Sequence, residues 1–389
     1  MINTAARQTY ITSAYIHIPF CSHKCEFCDF AAVAGLSHLE DEYTEIICKE
    51  IAERTAKIDQ TATPIKLSTL FFGGGTPGLA NPHNLEKMIK TLSKTAEIDS
   101  SLEFSIETTP HAITREKLQA WKDMGINRVS IGIESLNDSE LRAIGRDHTR
   151  AQALQGLELA SSVFDNINVD FMYGLPTQTI ESWQNTLDEL VSITQENSAV
   201  THVSSYCLEL AINSPLLSRF PRSSQAYPAD DNMVEFFEAL LKTLTNAGFD
   251  HYEVSNFALP GFACEHNMVY WRNIPYLAFG VGAHRYVGGV RSANYKSLAR
   301  YMREYMGDEM HEVIDDSTRV KEAIMLGLRM RRGIDVVEFE QEYGVNLAKD
   351  FGRQIAKLES GGFVEFDGKQ LRISDAGVFM SNAILSEFM

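Results

Sequence analysis

A chain of 389 residues, 44% hydrophobic and 22% charged, can bury one large barrel of about 200 to 250 residues and a smaller second unit. No apolar run approaches the roughly 20 residues needed to cross a bilayer, and the start, MINTAARQTY, has neither a secretory leader's pattern nor much argument for a transit peptide, so the cytoplasm is the expected location. The formal net charge of -17 leaves no basic footprint for nucleic acid, which argues against RNA or DNA as a partner.

Taken in order, the chain alternates apolar strands with amphipathic helices, without repeats or low-complexity segments. Strands are expected at 15–18, 67–72, 102–106, 128–133, 168–172 and 203–208. Helices are expected at 39–55, 84–95, 114–124, 151–162 and 180–193. Six βα units of this kind imply parallel crossovers and an α/β fold, a partial (β/α)6 barrel open on one side, with the chemistry on the loops after the strands.

The first strand runs into YIHIPFCSHKCEFCDF, where Cys21, Cys25 and Cys28 stand in a C-x3-C-x2-C spacing. Three thiolates so close together can hold three corners of an iron-sulfur cubane and leave one iron open, since position 30 is Phe30. Zinc is the competing reading, but a structural zinc site wants four ligands and only His17 or His23 could complete the set. The remaining cysteines, Cys48, Cys207 and Cys264, are scattered, so no disulfide framework is indicated.

The second strand ends in FFGGGTP, where Gly74, Gly75 and Thr76 allow close backbone approach to a ligand; a tight turn is the plainer reading. Glu107 closes the third strand, Glu134 the fourth, and Asp170 lies in the fifth. Carboxylates in such strands must be paired or hydrogen-bonded, in a structural network or against a ligand. Further on, Cys264 precedes H-N-x-x-Y-W, formed by His266, Asn267, Tyr270 and Trp271. Read by itself, a histidine beside aromatics is more often a packing residue than a ligand. The last part, with helices at 319–331 and 336–343 and a hairpin turning at Asp367-Gly368, reads as a small α+β winged-helix-like domain, too acidic for phosphate and suited to packing or partner docking. Residues 307–316 before it read as a solvated connection. The divisions expected are 1–228, 229–306 and 307–389.

The cysteine motif, FFGGGTP, SIETTP, GIESLNDSELRAIGRDHT and NVDFMYGLP, in this order, resemble the HemN/HemW branch of the radical S-adenosylmethionine (SAM) superfamily over most of the chain. The resemblance implies a [4Fe-4S] cluster on Cys21, Cys25 and Cys28, its open iron chelated by SAM, which one electron from a donor would cleave to a 5'-deoxyadenosyl radical. Gly74, Gly75 and Thr76 would hold the methionyl end, and Tyr15, Phe27, Glu107, Arg146 and Asp170 the remaining SAM contacts. Glu134 stands where the family usually has Gln. The H-N-x-x-Y-W stretch is similar to the heme-binding signature of the heme chaperones in this branch. That implies heme as ligand, heme-receiving respiratory proteins as partners, peripheral inner-membrane contact through such a partner, and dimerisation as an option. The alternative within the branch is an oxygen-independent coproporphyrinogen III oxidase. Against it stand Phe30, where the oxidase motif continues to a fourth cysteine, and the twenty residues before Cys21, where the oxidase has a longer region.

Overall fold

The computed structural model describes residues 11–59, 64–212 and 214–389; the opening MINTAARQTY lies outside them. Six parallel strands form the centre: β1 (Ile11–Ile18), β4 (Ile65–Gly74), β5 (Glu97–Thr108), β6 (Arg128–Glu134), β7 (Ile167–Tyr173) and β8 (Val200–Cys207). Two short strands, β2 (Phe20–Cys21) and β3 (Val33–Ala34), pair with each other and close the base of the cysteine loop. The sheet continues beyond the six expected strands. Beyond β8 lie β10 (Asn256–Ala258) and β9 (Asp250–Glu253), both antiparallel pairings, and β11 (Leu277–Phe279) adds in parallel outside β1. Three or four residues are too few to show a period, so these edges were not legible as strands.

The period-2 pattern explains the layers. On β1, Ala14, Ile16 and Ile18 face the helices with at most 1% exposure, and Leu70, Phe72, Val129, Ile131 and Val169 continue that buried surface across the sheet. The alternate residues face inward. Register places Ser13 beside Thr69, Thr69 beside Glu103, Tyr15 beside Phe71, and Glu107, Ser130, Asn168 and His202 in one row. The outer face is a hydrophobic core and the inner face is mostly polar.

Helices α1 (Glu40–Asp59), α2 (Pro82–Leu92), α3 (Arg115–Asp123), α4 (Asp138–Ala143), α5 (Arg150–Ser161) and α6 (Ile180–Glu196) alternate with the strands. Their starts are chemically marked: Asn81, Thr114, Asn137, Thr149 and Thr179 each cap a helix through a side-chain oxygen. After α7 (Leu216–Arg219) and α8 (Asp230–Asn246), the short helix α9 (Glu265–Trp271) carries the H-N-x-x-Y-W stretch.

A second sheet contains β12 (His284–Val287), β13 (Val290–Asn294) and β14 (Asp308–Val313), with α10 (Leu298–Arg303) between the last two. This corrects the reading of 307–316 as a connection. Residues 308–313 are an edge strand paired with β13, and Asp308 is ion-paired with Arg285 and with Arg54 at 3.2 Å. A strand with both faces largely in water has no apolar alternation, here with Asp308, Glu309, His311 and Glu312 among its residues, and looks like a loop. The last unit holds α11 (Asp316–Gly327), α12 (Val336–Tyr343), α13 (Leu347–Asp350), α14 (Gly352–Ser360) and a sheet in the order β15 (Ile334–Asp335), β17 (Gln370–Ile373), β16 (Val364–Phe366), around its own core. Helix α11 starts before the expected residue 319 because Asp315 caps it, its carboxylate accepting from Thr318 N at 2.7 Å.

Glu50 ties the barrel to the second sheet and its neighbouring turns. Fully buried on α1, it accepts from Arg54 Nε (2.7 Å), Asn294 Nδ2 (2.7 Å), Gly280 N (2.9 Å) and Tyr301 OH (2.6 Å). Glu50→Ala strands four donors at once and is expected to destabilise by about 3 to 5 kcal/mol, read as a lower denaturant midpoint. Wild-type stability in that variant would show that the hub is dispensable.

Candidate cofactor site

The loop after β1 is held at three places. Glu26 N–H donates to Ile144 O (3.3 Å); its carbonyl accepts from Ser214 Oγ (2.6 Å) and Leu216 N (3.1 Å); its carboxylate pairs with Arg219 at 2.8 Å. Cys21, Cys25 and Cys28 are free, half-buried thiols on this loop. Thr76 Oγ1 donates to Cys21 Sγ at 3.6 Å and Arg146 Nη1 to Cys25 Sγ at 3.2 Å. Burial pushes both thiols up, while the Arg146 guanidinium opposes the shift at Cys25 and favours thiolate there.

The three thiols face a cavity of about 310 Å³. Of the residues expected to hold cofactor, Phe27, Gly74, Gly75, Thr76, Glu107, Glu134, Arg146 and Asp170 line it with the cysteines. Tyr15 does not: its hydroxyl lies 3.2 Å from His17 Nδ1, and its ring stacks on Phe71 and faces a different cleft. Thr108, Thr109, His111, Asp147, Met172 and Tyr206 line the cavity as well and were missed. Thr108 and Asp147 directly follow Glu107 and Arg146, which was the available signal. At the mouth Ser22 Oγ donates to Asp147 Oδ2 at 3.0 Å, and Asp147 pairs with His111 at 3.2 Å, which holds its carboxyl well below the usual range.

The acids differ in how well they are satisfied. Asp170 accepts from Asn168 Nδ2 (2.7 Å) and Ser130 Oγ (3.1 Å). Glu107 accepts from Gly74 N (2.9 Å), and burial, with Asp170 nearby, pushes it up to about 8. Glu134 is pushed up to about 7 by burial although Arg146 lies 3.8 Å away. Its backbone is left-handed (φ 68°) at a register shift in β6, a conformation costing roughly 1 to 3 kcal/mol. That strain aims its side chain into the cavity.

The donor set fits the expected group. A Cβ on Gly75 would lie 2.6 Å from Pro19 O and 3.0 Å from Cys21 Sγ, so the glycine turn and the thiol are fitted to each other. Among the described residues, no three His, Cys, Asp or Glu side chains converge to hold a single metal ion, a poor match for zinc. Three spread thiols beside acids in need of a cation suit a cluster and the sulfonium and ammonium groups of SAM.

The H-N-x-x-Y-W residues do not form one face. Glu103 caps α9 by accepting from Glu265 N and His266 N, both 2.9 Å, and Cys264 is a buried thiol 3.5 Å from the same carboxylate. His266 is 2% exposed inside the barrel; its Nδ1 is hydrogen-bonded to Ser13 Oγ (3.1 Å) and Thr69 Oγ1 (2.9 Å), its Nε2 to Tyr270 OH (2.9 Å). Burial holds it neutral, down to about 3. Asn267 is half-buried, and Trp271 lies under the Arg329 guanidinium.

A parallel, open barrel with three thiols on the loop after its first strand, facing a glycine turn and strand-end acids, defines a radical SAM protein. Residues 15–190 match the Radical SAM superfamily model, and residues 314–380 the HemN C-terminal domain. Two curated relatives are each named heme chaperone HemW. That of Lactococcus lactis subsp. lactis (strain IL1403) is 31% identical over 380 residues, 97% of each chain. That of Bacillus subtilis (strain 168) is 31% identical over 384 residues, 97% of this chain and 99% of the relative. Coproporphyrinogen III oxidase (HemN) from Escherichia coli, a solved radical SAM enzyme, superposes with a TM-score of 0.84 over 100% of this chain and 92% of its own, at 22% identity, which shows the shared fold. The chain belongs to the HemW family of the radical SAM superfamily, and membership implies SAM and a [4Fe-4S] cluster.

Glu107 is expected to make the ligand-free protein less stable as pH rises from about 4.5 to about 8, because the folded state keeps a proton that the unfolded chain has released. Glu107→Gln should flatten that slope in denaturation curves across the range; an unchanged slope would show that Glu107 ionises normally. Gly75→Ala should fold yet incorporate little cluster on anaerobic reconstitution, measured as iron and sulfide per chain, because the new methyl displaces Cys21.

Proposed function

We propose that the protein binds heme and passes it to heme-requiring respiratory proteins, on a barrel that holds SAM and the cluster. The observation that carries this reading is the position of Phe30. It is 66% exposed, and its ring borders both the cofactor cavity and a second cleft walled by Tyr270 and Tyr276. A flat apolar ligand in that cleft lies beside the cluster loop without entering the cofactor cavity. The names of the relatives support the same ligand, and Tyr270 is the member of the H-N-x-x-Y-W stretch that lines the cleft.

Within the cofactor cavity, Gly74, Gly75 and Thr76 supply close backbone and hydroxyl contacts for the methionyl end of SAM. Asp170, and Glu107 once the cationic groups of SAM draw off its proton, supply negative charge opposite those groups. Arg146 holds Cys25 toward thiolate and keeps Glu134 in place. Glu134, pushed up to about 7, can donate from its protonated carboxyl as the family's Gln donates from its amide. When bound, the cluster supplies the electron for reductive cleavage of SAM, and an external donor must recharge it.

The test is an anaerobic assay of the reconstituted protein with coproporphyrinogen III, SAM and a reductant, beside a heme titration and transfer to a heme-free respiratory protein. Stoichiometric heme binding, transfer and no protoporphyrinogen are expected. Decarboxylated product would make the protein an oxidase and overturn the chaperone reading.

A further inference from the structure

The cleft bordered by Phe30 has a volume of about 340 Å³ and is lined by Tyr270, Tyr276, Asp29, His284 and Lys296 among others. His284 is exposed at the start of β12. Among the described residues, neither its ring nor the Lys296 ammonium takes part in a hydrogen bond or ion pair. His266 offers the opposite situation, with both ring nitrogens already bonded and no access from solvent. Ligating iron would cost it a buried hydrogen bond, to Tyr270 OH through Nε2 or to Ser13 and Thr69 through Nδ1.

The turn that presents His284 is rigid. Gly280 (φ 102°) and Gly282 (φ 65°) are both left-handed; a Cβ on Gly280 would lie 2.5 Å from Tyr43 OH, and one on Gly282 would lie 2.8 Å from Ala31 Cβ. Gly282 N donates to Tyr295 O at 2.9 Å. A Cβ on Gly280 would also lie 2.7 Å from His17 O, so the turn is packed against α1, β1 and the cysteine loop, and a histidine on it has a fixed position relative to Phe30. Lys296, Arg291 and Arg285 surround the imidazole with positive charge, opposed by Glu309. Arg285 is committed to Asp308 and Arg291 to Glu312 and Glu322, which leaves Lys296 as the cation available to a carboxylate.

We propose that His284 is the axial ligand of heme iron in this cleft, with Tyr270, Tyr276 and Phe30 against the macrocycle edge and Lys296 at a propionate. The assignment rests on the heme-binding reading above. An imidazole is a normal iron ligand, aromatic walls suit a porphyrin, and a neighbouring lysine suits its carboxylates. His266 then acts from behind, holding the Tyr270 ring in the wall through its hydroxyl.

The experiment is a ferric heme titration of the full-length, cluster-reconstituted protein, followed by difference absorption and by electron paramagnetic resonance of the heme. His284→Ala should weaken binding at least tenfold and remove the histidine-ligated signature, while Lys296→Ala should weaken binding and keep that signature. In His284→Gly, added imidazole should restore the signature, which loss of folding would not permit. Wild-type heme affinity and spectrum in His284→Ala would overturn the assignment and leave the heme reading standing. So would loss of the signature in a folded His266→Ala protein with His284 intact. No heme binding by the wild type would overturn both.

Discussion

Carboxylates enclosed by a sheet of apolar strands set the terms for this molecule. A charged group taken out of water must find partners, and the barrel interior contains Glu103, Glu107, Glu134 and Asp170 with two arginines, Arg128 and Arg146, near them. The way each acid is compensated divides the interior into a structural end and a chemical end. At the lower end Glu103 engages both oxygens with the first turn of α9, where the helix amide groups are without internal partners. Asp170, in the middle, is hydrogen-bonded by Asn168 and Ser130. At the upper end Glu107 receives one backbone amide, and Glu134 faces a guanidinium already shared with Cys25 and Gly132 O. Acceptor capacity left over therefore collects beside the three thiols, where a cationic cofactor has most to offer.

The same need for partners explains α9. A six-unit barrel leaves an opening between its inner strands, and polar side chains there need partners that water does not reach. His266 provides one across 253 residues of sequence to Ser13 and another to Thr69. A helix whose sequence offers an imidazole and a tyrosine four residues apart can both fill the space and satisfy the hydroxyls that line it. A motif of this composition thus has a structural job in this fold before any ligand is considered.

Local pattern was enough for the central architecture. The apolar period of two in residues 128–133 and 168–172, and the helical pattern of 180–193, place β6, β7 and α6 within a few residues of their observed limits. What stayed hidden depends on partners remote in sequence. Tyr15 shares an inward face with His17, yet packing on Phe71 and the approach of α9 turn its ring away from the cofactor cavity. Edge strand β14 has one neighbour and charged residues on both faces, so its sequence shows no buried side. The left-handed backbone at Glu134 arises from a register shift between β6 and β7, which no property of the residue itself announces. The cysteines and glycines were legible because their chemistry is local; His284 was passed over because its significance depends on which loop its turn meets.

That meeting couples the two halves of the upper surface. The Gly280–Gly282 turn packs on Ala31, while His17 is hydrogen-bonded to Ala31 O at 3.2 Å, and Phe30 stands beside it at the border of the two cavities. The cysteine loop is at once the cradle of the cluster and one wall of the second cleft. A group that orders this loop from the cofactor side changes the wall seen from the other, and by linkage a ligand in the cleft must act back on the cofactor side by the same free energy. If the second cleft takes the ligand proposed for it, this shared loop gives the radical SAM barrel a physical reason to retain the cluster that its family implies.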